Sequence, residues 1–181
     1  MKLWLARHAQ PLIAPGICYG ATDAGADVQA TLDAAQSLSL ALPFGLVVSV
    51  SPLQRCELLK QSLKALRPDL IFRSDARLVE MNFGLWEGQR WDAIPQSELA
   101  RWTDHFGEYA CGGAESVDQF MGRVGAAWDE AKVLRQDSVW ITHAGVIRAA
   151  SLLSQGIRTV IQAHEWPHQA PSFGEWCALA L

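Results

Sequence analysis

Short apolar runs recur along this chain, and each leads, directly or through a loop, into a stretch with helical spacing. Residues 3–6, 46–50, 70–73 and 139–142 have the length of strands and are too short for buried helices. Residues 28–42 carry Leu32, Ala35, Leu38 and Leu42 at helical spacing, and a helix to about residue 66 carries Leu59, Leu63 and Leu66 on one face. Ser51-Pro52-Leu53-Gln54 predicts the start of that helix, with Ser51 as cap, Pro52 at the first helical position and Gln54 closing a capping box. Ser116 and Gln119 predict a second box, opening a helix to about residue 134. Residues 98–106 and 146–154 read as further helices, 77–88 as a loop and 173–181 as a terminal strand. Strands alternating with helices predict an α/β fold, a three-layer sandwich with a central, mostly parallel sheet flanked by helices. No repeat, linker or low-complexity tract interrupts residues 1–181, so one domain is expected.

Composition narrows the function classes. Half of the residues are apolar and 19% are charged, the balance of a globular protein that buries a core without staples. A formal net charge of −4 argues against a nonspecific nucleic-acid partner, which needs a strong basic field. It leaves room for an anionic small molecule, which needs only a few local cations. No apolar run approaches the ~20 residues of a membrane span, and the run before Arg7 is too short for a signal peptide. Cys18, Cys56, Cys111 and Cys177 are too scattered for a zinc knuckle or redox pair, so free thiols and a cytoplasmic setting are expected. The sequence carries no signal for an oligomeric state.

Two of the apolar runs end alike. Leu3-Trp4-Leu5-Ala6 leads into Arg7-His8, and Val139-Trp140-Ile141-Thr142 leads into His143. Ligands of open α/β sheets sit beyond the carboxyl ends of strands, and adjacent strands lie ~4.8 Å apart. If these two strands are neighbours, their imidazoles flank one tetrahedral phosphate; otherwise they are structural polar residues. Arg55, in the first turns of a helix after the second strand, falls at the same end of the sheet, where helix N-termini favour anions. With Arg7 it offers two planar forks for phosphate oxygens, the alternative being a solvated surface arginine. Glu80 and Glu87 are either loop carboxylates or a general acid; Glu80 is flanked by Val79, Met81 and Phe83, which would desolvate it and favour its protonated form. His105, His164 and His168 receive no role. Pro167 opposes a helix across the metal-like spacing of His164 and His168.

Four segments, in order, resemble the histidine phosphatase (phosphoglycerate mutase-like) superfamily. Arg7-His8-Ala9 resembles its Arg-His-Gly motif, and Ser51-Pro52-Leu53-Gln54-Arg55 its Ser-Pro-Leu-x-Arg. Glu80 to Gly88 is similar to Glu-x-x-Phe-Gly-x-Trp-Glu-Gly, and Thr142-His143-Ala144-Gly145-Val146-Ile147-Arg148 to Thr-His-Gly-Gly-x-x-Arg. Within that family Cys18-Tyr19-Gly20-Ala21-Thr22-Asp23 resembles a loop of the α-ribazole phosphatase group. Gly112-Gly113-Ala114-Glu115-Ser116 is similar to a later segment of that group, with Ala114 inserted. The chain departs from the pattern at Ala9 and Ala144, where glycines are usual. It departs again at Pro11, where many members have a phosphate-binding threonine, and at Ala14, where asparagine is common.

The resemblance implies a phosphomonoester hydrolase acting on a small phosphorylated metabolite without metal or other cofactor. Its catalytic residues would be His8, Arg7, Arg55, His143 and Glu80. His8 would be the nucleophile, and Arg7, Arg55 and His143 would bind the equatorial oxygens. Glu80 would protonate the leaving alcohol and then activate water. Gln10, Tyr19, Gly20, Asp23 and Ala144 would bind substrate. The finer resemblance implies α-ribazole 5′-phosphate, in cobalamin nucleotide-loop synthesis, with Trp86 or Trp91 stacking on the flat base. A phosphoglycerate-type mutase and a noncatalytic phosphate-binding protein are the alternatives. Mutases of the family are usually longer, with segments that cover the site.

Overall fold

A computed structural model describes residues 1–181. Five strands form one sheet in the order β3-β2-β4-β1-β5. They are β1 (Lys2–Arg7), β2 (Val47–Val50), β3 (Ile71–Ser74), β4 (Ser138–Thr142) and β5 (Trp176–Ala180). The first four run parallel, and β5 pairs antiparallel with β1. The helices are α1 (Val28–Ala41), α2 (Gln54–Leu66), α3 (Gln96–Asp104), α4 (Val117–Val133) and α5 (Ala144–Ser154).

Side-chain alternation divides the core into two layers. Leu3, Leu5 and Trp140 pack with Phe120, Met121 and Val124 of α4 and with Val146 and Ala150 of α5. Ala6, Val48, Val50, Val139 and Ile141 point the other way, onto Ala35 and Leu38 of α1 and Leu59 and Leu63 of α2. The expected stripes are buried in part: Ala35 and Leu38 of α1 and Leu59 and Leu63 of α2 face the sheet, while Leu32 and Leu66 are exposed and α3 buries no residue. The result is the expected three-layer sandwich.

This arrangement places the site. β1 and β4 are adjacent, with Arg7 opposite Thr142 in the register. The helix that follows β1 covers one face and the helix that follows β4 covers the other. Such a reversal opens a crevice at the strands' carboxyl ends. His8 and His143 are the first residues past those ends.

Three helix starts differ from expectation; α3 spans Gln96–Asp104, two residues earlier than the expected 98–106. α2 begins at Gln54 with Leu53 at its cap, and Leu53 supplies no side-chain cap. Ser51 is diverted, because its hydroxyl lies 2.8 Å from His143 Nε2. α5 begins at Ala144, earlier than residue 146, so His143 itself stands at the helix cap. At α4 the expected box is complete: Gln119 N–H donates to Ser116 Oγ, and Ser116 N–H donates to Gln119 Oε1 at 3.0 Å. Replacing such a cap by alanine typically costs ~1 kcal/mol. Ser116→Ala should therefore lower stability by about 1 kcal/mol in urea unfolding. An unshifted midpoint would mean that the box does not hold the helix start.

Candidate active site

His8 is 2% exposed and lies beside His143, with ring centroids 5.1 Å apart. Its Nδ1 is 2.7 Å from the Ala9 carbonyl oxygen. A carbonyl only accepts, so Nδ1 carries the proton and Nε2 keeps a free lone pair. Burial lowers the His8 pKa to about 3, with Arg55 and then Arg7 adding to the effect. The ring is therefore neutral at physiological pH. Ala9 causes no crowding: apart from glycines, only Arg135 has a positive φ.

Arg55 is fully buried. Its Nη1–H donates to Thr22 O and its Nη2–H to Gly20 O, each at 2.7 Å, and its Nε–H donates to His143 Nδ1 at 3.2 Å. His143 therefore accepts at Nδ1 and, being neutral, donates from Nε2 to Ser51. Burial holds its pKa well below the usual imidazole value, with Arg55 and His8 contributing.

Arg7 reaches over the Phe173 ring, 3.8 Å from its centroid, and its Nη1–H donates to Pro171 O at 2.9 Å. Glu80 is held by the start of α5: Gly145 N–H donates to its Oε2 at 2.9 Å. A Cβ on Gly145 would lie 2.2 Å from Glu80 Oε1, so glycine is required there for the carboxylate to approach. Gly20 is required for a similar reason. A Cβ there would lie 1.7 Å from the Met81 carbonyl oxygen, where the 18–23 loop crosses the segment carrying Glu80.

These groups meet in a cavity of about 380 Å³. Its polar end holds Arg7, His8, Tyr19, Gly20, Arg55, Glu80, Ala144 and Gly145. Phe83, Trp91, Trp102, Phe106, Phe120 and Trp166 build an aromatic wall, and Arg148 and His168 also line the cavity. His143 backs this site but has no exposed surface and does not line the cavity. Gln10 and Asp23 are not brought to it. The Gln10 carbonyl accepts from Asp27 N–H, and the Asp23 carboxylate accepts from Gln54 N–H at the start of α2. Pro11 is buried in a bridge with Ala26, away from the cavity.

The second loop carboxylate serves the scaffold. Glu87 accepts from the N–H groups of Ala21, Thr22 and Phe83 and from the Thr22 hydroxyl, stapling the 18–23 loop to its own segment. Of the two tryptophans considered for stacking, Trp86 is core, 4% exposed, and Trp91 lines the cavity. Cys18 is a packed thiol, its pKa pushed up to about 12 by burial. Several cavity residues carry no local signal in the sequence. Trp102 sits on α3, and Trp166 and His168 lie in an irregular stretch after α5. Arg148 closes one of the four motifs, yet nothing in its spacing assigns it a role.

The model of the histidine phosphatase superfamily (branch 1) matches residues 3–168. The chain belongs to this family. A comparison with curated proteins finds no match. Among solved structures, it resembles a mycobacterial glucosyl-3-phosphoglycerate phosphatase in complex with VO3, with a TM-score of 0.80 and 22% identity over 99% of this chain and 90% of that one. It resembles the alpha-ribazole phosphatase from Shigella flexneri, with a TM-score of 0.80 and 23% identity over 98% of this chain and 89% of that one. A protein from Thermus thermophilus is 27% identical over the whole of both chains, with a TM-score of 0.70. The superfamily fold and the order of the four motifs thus agree.

Two buried neutral imidazoles make stability depend on pH. Once unfolded, His8 and His143 return to an ordinary pKa near ~6.5. Below that pH the unfolded chain binds more protons than the native one, so stability is full above it and is lost as pH falls. Each ring contributes up to ~1.4 kcal/mol per pH unit in that window. Denaturant titrations at pH 7 and pH 5 should show the His8→Asn variant losing roughly 1–2 kcal/mol less than the parent over that interval. Equal losses would mean that His8 is not held neutral.

Proposed function

We propose that this chain hydrolyses phosphomonoesters through a phosphohistidine formed on His8. The observation that carries the reading is the state of that ring: neutral, fixed by Ala9, its Nε2 lone pair free at the charged end of a cavity. Nε2 attacks phosphorus as the bond to the leaving oxygen breaks. Glu80 gives that oxygen a proton. Water then attacks phosphorus, Glu80 takes its proton, and the P–N bond breaks, releasing phosphate and neutral His8. Arg7 and Arg55 supply the charge that stabilises the transferring group, and positioning and electrostatics dominate such transfers. His143 serves the cradle from behind, by accepting from Arg55 Nε. The Ala144 N–H, at the start of α5, adds a donor.

The substrate in this reading is a small phosphorylated metabolite of the cytosol, α-ribazole 5′-phosphate, used in cobalamin nucleotide-loop synthesis. Two features support it: the Cys18-to-Asp23 resemblance and the aromatic wall. A flat benzimidazole stacked on Trp91, Trp102 or Trp166 gains ~0.5–1.5 kcal/mol per aromatic contact beyond the area buried. No metal takes part, because the arginines supply the positive charge.

A phosphate-release screen over phosphorylated metabolites, run in EDTA, tests all of this. α-Ribazole 5′-phosphate should give the highest kcat/KM, and His8→Ala should abolish turnover without unfolding the chain. Residual activity in the variant removes His8 as nucleophile. A chelator-sensitive rate removes metal independence. Equal turnover of sugar phosphates removes only the substrate.

Glu80→Gln separates the proton's role from the scaffold's. An alkyl phosphate needs its leaving oxygen protonated and a nitrophenyl phosphate does not. The loss on the alkyl ester should be ~10²–10⁴-fold, the usual contribution of general acid catalysis, and much smaller on the aryl ester. Equal losses on both would reduce Glu80 to a structural carboxylate.

A further inference from the structure

Three arginines lack a carboxylate partner without being left at the surface: Arg7, Arg55 and Arg148. All three line the same cavity. Every other arginine is paired with an aspartate or glutamate, apart from the exposed Arg135. Arg7 and Arg55 already belong to the proposed chemistry. Arg148 does not.

Arg148 stands on α5 three residues beyond Gly145, on the same side of the helix. Gly145 holds Glu80, and Arg148 and Glu80 line the same cavity. Its Nη2–H donates to the His168 carbonyl at 3.0 Å, while its buried Nε–H has no partner. Arg7 repeats this pattern, with Nη1–H on the Pro171 carbonyl and a buried, unpartnered Nε–H. Carbonyls within residues 168–171 thus orient both forks and neutralise neither. The two are near enough for Arg148 to help depress the Arg7 pKa, after burial. Two adjacent cations, each with an unused N–H, are complemented by one anion bearing several oxygens. The cradle also needs another donor. Each nitrogen of Arg55 already donates to the protein, and both nitrogens of His143 are engaged. The aromatic wall offers no second charge for a leaving group.

We infer that Arg148 is a phosphoryl-binding residue, donating to a nonbridging oxygen of the same group that Arg7 holds. This rests on the reading of the cavity as a phosphomonoesterase site. Calorimetric titration of the full chain with inorganic phosphate tests it, alongside turnover of p-nitrophenyl phosphate. Arg148→Met should weaken phosphate binding by about 10–100-fold, the span of a charged hydrogen bond. Arg148→Lys should restore part of the loss, since an ammonium keeps the charge but not the fork. Thermal melts verify that both variants are folded, and Lys carries the test if Met is not. Unchanged phosphate affinity in the folded variants overturns the assignment. So does a loss confined to substrates with a second carboxylate or phosphate, which would place Arg148 at the leaving group. A parent chain that binds phosphate through Arg148 but hydrolyses nothing would sink the phosphatase reading and leave this assignment standing.

Discussion

The guanidinium of Arg55 is the interaction on which the site depends. It is fully buried, and it joins three parts of the chain that are distant in sequence: the carbonyls of Gly20 and Thr22, the start of α2, and His143 at the end of β4. A buried charge without partners is costly, so the loop must present its carbonyls for the arginine to be accommodated. Gly20 makes that presentation possible, because only a residue without Cβ fits against the Met81 carbonyl. Glu87 then fixes the far side of the same loop through the N–H groups of Ala21 and Thr22. One cation thereby determines the loop path, the tautomer of His143 and one wall of the cavity.

The charge arrangement follows from a shortage of carboxylates at this end of the sheet. Glu80 is the only one lining the cavity, against three arginines. Carbonyl oxygens take the missing role, at Gly20 and Thr22 for Arg55, Pro171 for Arg7 and His168 for Arg148. They orient guanidinium groups without cancelling their field. That field, added to burial, keeps both imidazoles unprotonated. The same unbalanced charge therefore favours an anion in the cavity and preserves a lone pair on His8. The excess of cations and the neutral histidine are two results of one arrangement.

The opposite end of the cavity is assembled from elements with no common origin in the chain. Trp91 follows the Glu80 segment, Trp102 comes from α3, Phe120 from α4, and Trp166 from the irregular stretch beyond α5. Trp91 stacks on Trp102 at 6.4 Å between centroids, and Trp102 stacks on Phe106 at 5.4 Å. The wall is thus continuous with the core beneath it, Phe106 and Phe120 being buried and Phe83, Trp91, Trp102 and Trp166 packing against that core. The stretch that supplies Trp166 also carries the Pro171 carbonyl and Phe173, which hold Arg7. The apolar wall and the charged end are linked through it.

The sequence by itself determined the layers and most of the candidate site's polar residues. Residues 3–6 and 139–142 read as strands because period-two burial on two faces leaves a continuous apolar run, and the helices read from their stripes for the matching reason. Arg7, His8 and Arg55 were legible because each lies beside a strand or helix end, where local geometry already aims it at the sheet's carboxyl edge, whereas Glu80, in a loop, was legible only through the resemblance of its segment to the family motif. The capping box at Ser116 was legible because both partners lie within one turn. Only the tertiary structure decided what depends on residues far apart in the chain. It took Ser51 from the start of α2 to serve His143, and it buried His143 behind the cavity. It used Asp23 to hold the N-terminus of α2 and kept Gln10 away from the cavity. It brought Trp102, Arg148, Trp166 and His168 to the same cavity. A hydroxyl or a carboxylate within reach of several partners takes the one that packing leaves unsatisfied, and packing is a property of the whole chain, not of any window of it.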